Sequence, residues 1–343
     1  MKALLSDDLT AKKFYYLLYH RKIRSYMTEP CLNSAEKKFV EMLKKEDNPS
    51  LYDLSPEDAR IFLKNLQRKH YKEIEADTRD INIFTPIGGN VDIRVIRPQN
   101  NHEKLPAILY VHGGGWILGD KEVYDMPSKK LADETNSVVI FVDYTKSPEA
   151  KYPTALNQIY GVLMYITENH DEFNIFQDKI AIAGDSAGGN MAAATAIRAK
   201  KENGPKIVSQ VLIYPVTDAD MNSKSYDDFK NGPWLTKKAM EWFFNAYISN
   251  QKQQNDIYVS PLKADLEDLK GLPPALIITD ENDILRDEGE AYARKLDAAG
   301  VDTMNVRING TFHDFFMLNA LAGTASAKGA MLLVSSFLQK ALH

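Results

Sequence analysis

The sequence IAIAGDSAGGNMAAA, residues 180–194, carries the strongest indication of the fold. An apolar run leads into Ser186, which lies between small residues, and helix-favouring residues follow directly. A strand-to-helix corner of this kind holds a serine in strained backbone geometry, with the N-terminus of a helix beside its hydroxyl. Gly184 and Gly188 fit such a corner, because a Cβ at either position would collide with neighbouring backbone. The G-x-S-x-G pattern alone occurs by chance, so the flanking strand and helix carry the prediction of a nucleophilic serine.

Further apolar runs on both sides of this corner have the length and composition of buried strands. They alternate with helical stretches, which is typical of a mostly parallel sheet with right-handed crossovers and helices on both faces. The first two runs flank Gly88-Gly89-Asn90 and predict a hairpin that forms an antiparallel edge. The fold class is therefore α/β with a mostly parallel eight-stranded sheet. The predicted strands are residues 81–84, 91–95, 107–111, 137–142, 180–183, 208–214, 275–279 and 304–308.

Two regions lie outside this alternation of strands and helices. Residues 1–75 are helical in pattern and are expected to form an N-terminal helical cap segment, ahead of a catalytic domain at residues 76–343. The aromatic run 14–19 is expected to pack on the body of the protein, with a membrane surface as the alternative. An insertion at about 218–261, with a helix at 236–247, has the length of a lid or cap over a site; the alternative is an inert surface elaboration.

A glycine-rich loop, His112-Gly113-Gly114-Gly115-Trp116, follows the third predicted strand. Consecutive glycines let backbone N–H groups approach a ligand closely, which an oxyanion hole requires. The loop matches neither the G-x-x-x-x-G-K-[ST] phosphate loop nor the G-x-G-x-x-G dinucleotide fingerprint. We expect His112 itself to be structural, because the glycines are what such a loop needs.

A nucleophilic serine needs a base, and the base needs an orienting carboxylate. Among the seven histidines, only His313 combines a late position with a loop directly after a predicted strand. Asp283 is the expected acid, since it also lies on a loop after a strand, and Asp280 is its strongest competitor. Asp314 is adjacent to His313, which makes a good contact with Nδ1 awkward. The chain order Ser186, Asp283, His313 is the order found in α/β-hydrolases.

Composition and charge exclude several other classes of protein. The 343 residues include 42 Lys and Arg and 47 Asp and Glu, a net charge of -5, so the chain lacks the basic surface that nucleic acids require. The single cysteine, Cys31, can form no intrachain disulfide, and no Cys/His spacing is typical of zinc. No apolar stretch has the length of a membrane span or a signal-peptide core, so we expect no stable membrane insertion and a cytoplasmic location. A homodimer is a further expectation.

Taken together, these motifs resemble the hormone-sensitive-lipase-like family of α/β-hydrolases, the group of microbial carboxylesterases and acetyl esterases with an HGGG motif. The matching pieces are residues 112–116, 142–144, 147–149, 152–153, 184–189, 283–289 and 312–315. The resemblance implies a cap built from N-terminal helices and an insertion. It implies Ser186 as nucleophile, Asp283 as acid and His313 as base, with the backbone N–H groups of Gly113, Gly114 and Ala187 as the oxyanion hole. The family often has Tyr-Arg-Leu-Ala-Pro-Glu where this chain has Tyr144-Thr145-Lys146-Ser147-Pro148-Glu149, a difference that concerns substrate rather than reaction type.

The function implied by the resemblance is hydrolysis of short-chain acyl esters, from acetyl to about hexanoyl, through an acyl-enzyme on Ser186. This chemistry needs no metal and no organic cofactor. Because His313 must start neutral, hydrolysis is expected to fall as the pH drops below about 6 to 7. One alternative is an amidase of the same fold, similar to the arylformamidases. Another is a non-catalytic ligand receptor, since plant gibberellin receptors share the scaffold but have lost the catalytic histidine, which is present here as His313.

Overall fold

The structure, a computed structural model, describes residues 30–46 and 49–343. The aromatic run 14–19, with the rest of the N-terminal segment before residue 30, lies outside the described residues. Within the described ranges, one eight-stranded sheet has the order β1-β2-β4-β3-β5-β6-β7-β8. Its strands are β1 (Ala76–Thr85), β2 (Gly89–Pro98), β3 (Leu105–Val111), β4 (Val138–Asp143), β5 (Ile175–Asp185), β6 (Gln210–Ile213), β7 (Ala275–Asn282) and β8 (Thr303–Phe312).

In the part of the chain that the structure describes, two α-helices precede the sheet, and from β3 onward helices alternate with its strands along the chain. They are α1 (Ser34–Lys45), α2 (Pro56–Lys69), α3 (Asp125–Thr135), α4 (Thr154–Glu168), α5 (Ala187–Lys201), α6 (Lys224–Asp228), α7 (Lys237–Tyr247), α8 (Leu266–Leu269), α9 (Arg286–Ala298) and α10 (Ala325–Leu342). None of the helices in the described ranges is both long and apolar enough to cross a membrane.

The predicted α/β fold is confirmed. Strand β2 pairs antiparallel with both β1 and β4, and every other neighbouring pair in the sheet is parallel. All seven residues of β3 are buried, because parallel strands are covered on both faces. This is why the central strands are uniformly apolar in the sequence, whereas the hairpin β1–β2 alternates more.

The last strand is longer than predicted. The expected strand ended at residue 308, whereas β8 continues to Phe312 and pairs there with Asn282 of β7, beyond an irregularity in the register. The additional residues include Asn309-Gly310-Thr311, which have no apolar strand pattern. Tertiary hydrogen bonds hold them instead: the Gly310 N–H donates to Glu281 Oε2 at 2.7 Å, and the Gly310 carbonyl accepts from the Asn33 N–H at 2.9 Å.

The parallel direction of the strands brings four loops to one edge of the sheet. The carboxyl ends of β3, β5, β7 and β8 are followed directly by His112, Ser186, Asp283 and His313. In open α/β sheets this edge is where ligands bind. Residues separated by more than 200 positions in the chain therefore meet at one place.

Helix α2 fastens two of these loops together. The buried Gln67 side chain donates through Nε2 to the carbonyl oxygens of Val123, at 3.0 Å, and Met317, at 2.9 Å. Its Oε1 accepts from the Asn319 N–H at 2.9 Å. A buried amide with all these partners satisfied is a rigid connection, so α2 ties the segment after the glycine loop to the segment after His313.

Candidate active site

Ser186 occupies the corner between β5 and α5 with φ 52° and ψ -122°. Positive φ is costly for a residue with a side chain, and this is the strained geometry that the sequence predicts. A Cβ on Gly184 would lie 2.5 Å from the carbonyl oxygen of Gly188, and a Cβ on Gly188 would overlap the carbonyl oxygen of Val111. The Ser186 N–H donates to the Ile213 carbonyl at 2.8 Å, which holds the corner against β6. Both glycines are therefore required by backbone contacts.

The structure brings together the serine, histidine and aspartate that the sequence singled out. His313 Nε2 lies 2.8 Å from Ser186 Oγ, and His313 Nδ1 lies 2.8 Å from Asp283 Oδ2. All three side chains are at most 5% exposed. With a proton on Nδ1, donated to Asp283, Nε2 is free to accept the serine proton.

Asp280, the competing acid, does not bond the imidazole. Its Oδ1 accepts from the Thr311 hydroxyl at 3.3 Å, and its buried Oδ2 has no hydrogen-bond partner among the described residues. Burial raises the pKa of Asp280 well above its ordinary value, and the charge of Asp283 adds to this effect. Asp283, and not Asp280, therefore orients the imidazole.

The carboxyl groups around His313 determine its charge state. Burial, the largest single effect, lowers the pKa of His313, but the charges of Asp283, Asp314 and Asp280 and the hydrogen bond to Asp283 together raise the pKa to about 9. The site therefore favours an imidazolium, which is the species that forms when His313 takes a proton from Ser186.

The glycine loop differs from the prediction at its first glycine. The Gly113 N–H points into the protein, where it donates to Asp185 Oδ1 and to the Tyr124 hydroxyl, each at 3.1 Å. It has no capacity left for a bound oxyanion. The expectation that Gly113 is an oxyanion-hole donor is wrong, because the orientation of its peptide is set by a buried carboxyl group that no local pattern reveals.

Asp185 is the group that orients this peptide. It is fully buried and accepts hydrogen bonds from the hydroxyls of Tyr110, at 3.0 Å, and Tyr124, at 2.7 Å, as well as from Gly113. Burial raises the pKa of Asp185 to about 7, against these hydrogen bonds, which lower it. One residue of the serine corner therefore anchors the neighbouring loop.

Three other backbone N–H groups, on the glycine loop and directly after Ser186, have no partner. Those of Gly114, Gly115 and Ala187 find no acceptor within residues 30–46 and 49–343. Gly114 has φ 95° and Gly115 has φ 59°, and both line the same cavity as Ser186. Buried N–H groups without an acceptor are costly unless a ligand supplies one. The run of three glycines indicates that backbone N–H groups are available to a ligand, but it does not indicate which of these N–H groups face the cavity.

His112 supports the loop from behind. Its ring stacks on Tyr144 with centroids 4.2 Å apart, and its Nδ1 lies 2.8 Å from the Gly113 carbonyl oxygen. Burial, followed by the charge of Lys146, lowers the pKa of His112 to about 3. A neutral imidazole packed in this way has the structural role predicted for it.

A cavity of about 280 Å³ opens onto Ser186 and His313. Helix α1 contributes Val40 and Leu43 to one wall, and the insertion contributes Trp234 and Phe243 to the other. The Phe243 ring packs so closely on Gly115 that a Cβ there would overlap it. The insertion is therefore part of the site rather than an inert surface elaboration.

The insertion also holds the loop beyond the glycines. Trp116 has a φ of 61°, and its ring stacks on Tyr247 of α7 with centroids 4.2 Å apart and planes 5° apart. The Trp116 carbonyl accepts from the Ser147 N–H at 2.8 Å. A tryptophan adopts this left-handed conformation only when its surroundings impose it.

Asp280, Asp283 and His313 also have ligand atoms within 4.8 Å of one another, the arrangement among the described residues that a metal ion could use. His313 Nδ1 and Asp283 Oδ2 are already joined by their hydrogen bond. Binding of a metal through Nδ1 would break the contact that orients the base. The geometry therefore fits proton transfer through the imidazole better than metal ligation.

Comparison with known proteins agrees with this fold. A family model described as alpha/beta hydrolase fold matches residues 108–317. An alpha/beta hydrolase of Acanthamoeba polyphaga mimivirus is 39% identical over 298 residues, which cover 87% of this chain and 85% of the relative. An arylesterase of Saccharolobus solfataricus is 37% identical over 245 residues, 71% of this chain and 78% of the relative.

A solved structure is similar over nearly its whole length. The thermostable esterase from Pseudomonas putida ECU1011 superposes with a TM-score of 0.90 at 40% identity, covering 92% of this chain and 99% of that one. The resemblance drawn from the motifs is confirmed by these matches. This chain belongs to the α/β-hydrolase fold family.

Proposed function

We propose that this chain is a serine hydrolase of carboxylic esters that forms an acyl-enzyme on Ser186. The observation that carries the proposal is the unbroken chain of hydrogen bonds from Ser186 through His313 to Asp283, at 2.8 Å for each contact, on the floor of a cavity. The relatives that are named esterase or arylesterase support the ester bond as the one cleaved.

The first half of the reaction forms the acyl-enzyme. Ser186 Oγ attacks the ester carbonyl carbon while His313 Nε2 takes its proton, and Asp283 stabilises the resulting imidazolium. The carbonyl oxygen becomes an oxyanion, and the N–H groups of Gly114, Gly115 and Ala187 are the donors available to it. Each such donor stabilises the transition state by roughly 3 kcal/mol.

The second half releases the acid. The bond between the carbonyl carbon and the alcohol oxygen breaks, and His313 Nε2 gives its proton to the departing alcohol. Water then attacks the acyl-enzyme with His313 as base, and the proton returns to Ser186 Oγ as the acid leaves. Every proton moves through Nε2, so no further acid or base is needed.

We assign acetyl to about hexanoyl esters as the substrate range. A cavity of about 280 Å³ with apolar walls supports a small acyl group, since ligand sites for larger molecules are commonly bigger. The N-terminal helices and the insertion act as a cap in this proposal, because both contribute side chains to the cavity walls. The cytoplasmic location and the homodimer stay predictions from the sequence.

Covalent labelling tests the proposal directly. A fluorophosphonate probe should label the native chain and should leave Ser186→Ala unlabelled, with hydrolysis of p-nitrophenyl acetate reduced by at least about 10⁴-fold. Ser209→Ala is a matched control, because Ser209 is also buried but lies outside the site, and it should keep both properties.

Two results would contradict the proposal. Equal labelling of Ser186→Ala and the native chain would show that Ser186 is not the nucleophile. Turnover of N-formylkynurenine in preference to p-nitrophenyl acetate would favour the amidase, while tight ligand binding without any turnover would favour the receptor.

A further inference from the structure

Asp314 has a geometry that the proposed mechanism does not use. It follows His313 directly and has φ 71°, in the left-handed region. Aspartate enters this region more readily than most residues, but still at a cost. The Asp314 carbonyl accepts from the N–H groups of Met317 and Leu318, at 3.1 and 3.0 Å, and these bonds hold the turn. These bonds fix the backbone of Asp314 and so limit the directions its side chain can take.

The two carboxylate oxygens of Asp314 have different environments. Oδ2 accepts a hydrogen bond from Trp234 Nε1 of the insertion at 2.8 Å. Oδ1 lies 3.6 Å from His313 Nε2 and receives no hydrogen bond from any residue in the described ranges. The side chain is 17% exposed and lines the cavity. One oxygen is thus anchored, while the other is presented to whatever occupies the cavity.

The position of Oδ1 identifies the part of a substrate that it would meet. His313 Nε2 gives its proton to the oxygen of the departing alcohol, so the alcohol portion of the ester lies beside Nε2. A carboxylate next to Nε2 faces that alcohol and not the acyl chain. A hydroxyl on the second carbon of the alcohol would be close enough to donate to it. Most side chains that α1 and the insertion contribute to the cavity are apolar; the polar exceptions are Lys44, which can only donate, and Thr236, whose hydroxyl already accepts from the Ala239 N–H.

We propose that Asp314 Oδ1 binds a hydroxyl on the alcohol portion of the substrate, which makes esters of diols and polyols the preferred substrate class. This inference rests on the proposed ester hydrolysis at Ser186. It adds a residue that contacts substrate. It also predicts selectivity for the alcohol portion of the ester, which the proposed range of acyl groups does not address.

The test compares three butanoate esters that differ only in the alcohol. They are 2-hydroxyethyl butanoate, its near-isostere propyl butanoate, and 2-methoxyethyl butanoate, which has the same electron-withdrawing oxygen but no donor. The native chain should hydrolyse the hydroxyethyl ester with a kcat/KM about tenfold above either comparison ester, since a hydrogen bond to a charged group is stronger than one between neutral groups.

Variants of Asp314 separate recognition from structure. Asp314→Gly removes the acceptor and suits the positive φ, so it should fold and should hydrolyse all three esters with equal kcat/KM. Asp314→Asn keeps an acceptor oxygen without the charge and should retain part of the preference. Asp171→Asn, at an exposed aspartate outside the site, should keep the full preference.

The ratio between esters within each variant distinguishes the outcomes. A purely structural role would lower all three rates together and leave the preference intact, which would overturn the inference. The inference is also overturned if the native chain shows no preference for the hydroxyethyl ester. If none of the esters is hydrolysed, or if Ser186→Ala hydrolyses them as the native chain does, the proposed function itself has failed.

Discussion

Two glycine-containing turns meet at the active site, and they differ in how far their conformation is encoded locally. The turn at 184–189 carries the serine, and the turn at 112–116 carries the glycine loop. Both follow central parallel strands, and both place glycines where backbone approaches closely. The geometry of the serine turn agrees with the sequence prediction throughout, whereas one predicted donor of the glycine loop faces the wrong way. The comparison shows that a residue pattern predicts where a turn occurs better than where its N–H groups point.

The serine turn is predictable because its constraints are short in range. Gly184 and Gly188 contact each other across the turn, and the flanking strand and helix follow from apolar pattern and propensity. Any other residue type at these positions would place a Cβ into backbone. For this turn, the residue pattern is therefore enough to predict the backbone geometry.

The glycine loop takes its orientation from a distant residue. Asp185 belongs to the serine turn, yet it accepts the Gly113 N–H and so turns that peptide away from the cavity. The two turns are locked to each other, because a Cβ on Gly113 would lie 2.5 Å from Asp185 Oδ2. Substitutions in either turn should therefore show whether its conformation depends on near neighbours in the chain or on tertiary contacts.

The largest effect is expected when the serine turn is blocked. Gly188→Ala places a Cβ against the carbonyl oxygens of Val111 and His112, which belong to backbone and cannot move aside. The free energy of unfolding, measured with urea, should fall by about 3 kcal/mol or more. Gly329→Ala is the matched control, since Gly329 lies in helix α10 with no atom within 4 Å of the added Cβ, and it should raise stability by about 0.5 to 1 kcal/mol. Equal effects of the two substitutions would show that the close approach at Gly188 is unimportant.

A smaller effect should follow when the link between the turns is altered. Asp185→Asn keeps one acceptor but presents an NH₂ group toward a hydroxyl that now donates, so the Tyr124 bond must rearrange. We expect kcat to fall by about 10- to 100-fold with little change in KM, because misplaced amides weaken the transition state more than the bound ester.

Affinity for a boronic acid provides a second measurement of this link. Such an inhibitor places an oxygen in the oxyanion position, so its binding to Asp185→Asn should weaken in parallel with kcat. Tyr110→Phe removes a single donor from the same carboxyl group and should have a smaller effect on both quantities. If KM rises while kcat stays constant, Asp185 acts on substrate binding and not on the amides.

The last prediction changes no residue and concerns pH, and it belongs to the serine side of the comparison. His313 must be neutral to take the serine proton, and its pKa is raised to about 9 by the charges of Asp283, Asp314 and Asp280, against the effect of burial. The rate should therefore rise with pH up to about 9 and fall about tenfold for each pH unit below that value. The fall in rate below about pH 6 to 7 that the sequence predicted assumed that His313 has the ordinary pKa of histidine.

A profile of kcat/KM against pH checks this expectation. The midpoint of the acid limb should lie above 6.5, the ordinary pKa of histidine. Asp185→Asn should keep the same midpoint, since Asp185 contacts the glycine loop and not the imidazole. A midpoint at or below 6.5 would mean that the three carboxyl groups do not act on His313 as described.

Much of the fold could be predicted because buried parallel strands are apolar on both faces. The bounds of β3 and β4 were predicted to within two residues for this reason. The end of β8 was missed, since Asn309, Gly310 and Thr311 are held in the strand by partners from other elements, with Gly310 at a positive φ of 74°. Asp283 was preferred over Asp280 from its place on the loop, and the structure places its Oδ2 on the imidazole.

Sequence alone was enough to identify the residues at the ends of the parallel strands, and hence to show that a serine, an imidazole and a carboxyl group share one edge of the sheet. Local sterics and strand burial suffice for that, because they depend on near neighbours in the chain. The folded chain was needed to show that Gly113 faces inward, that Trp116 adopts a positive φ against Tyr247, and that Asp314 lines the cavity with one oxygen bonded to Trp234 and the other beside His313 Nε2. These features depend on hydrogen bonds and stacking between residues far apart in the chain, and such partners become known only when the chain has folded.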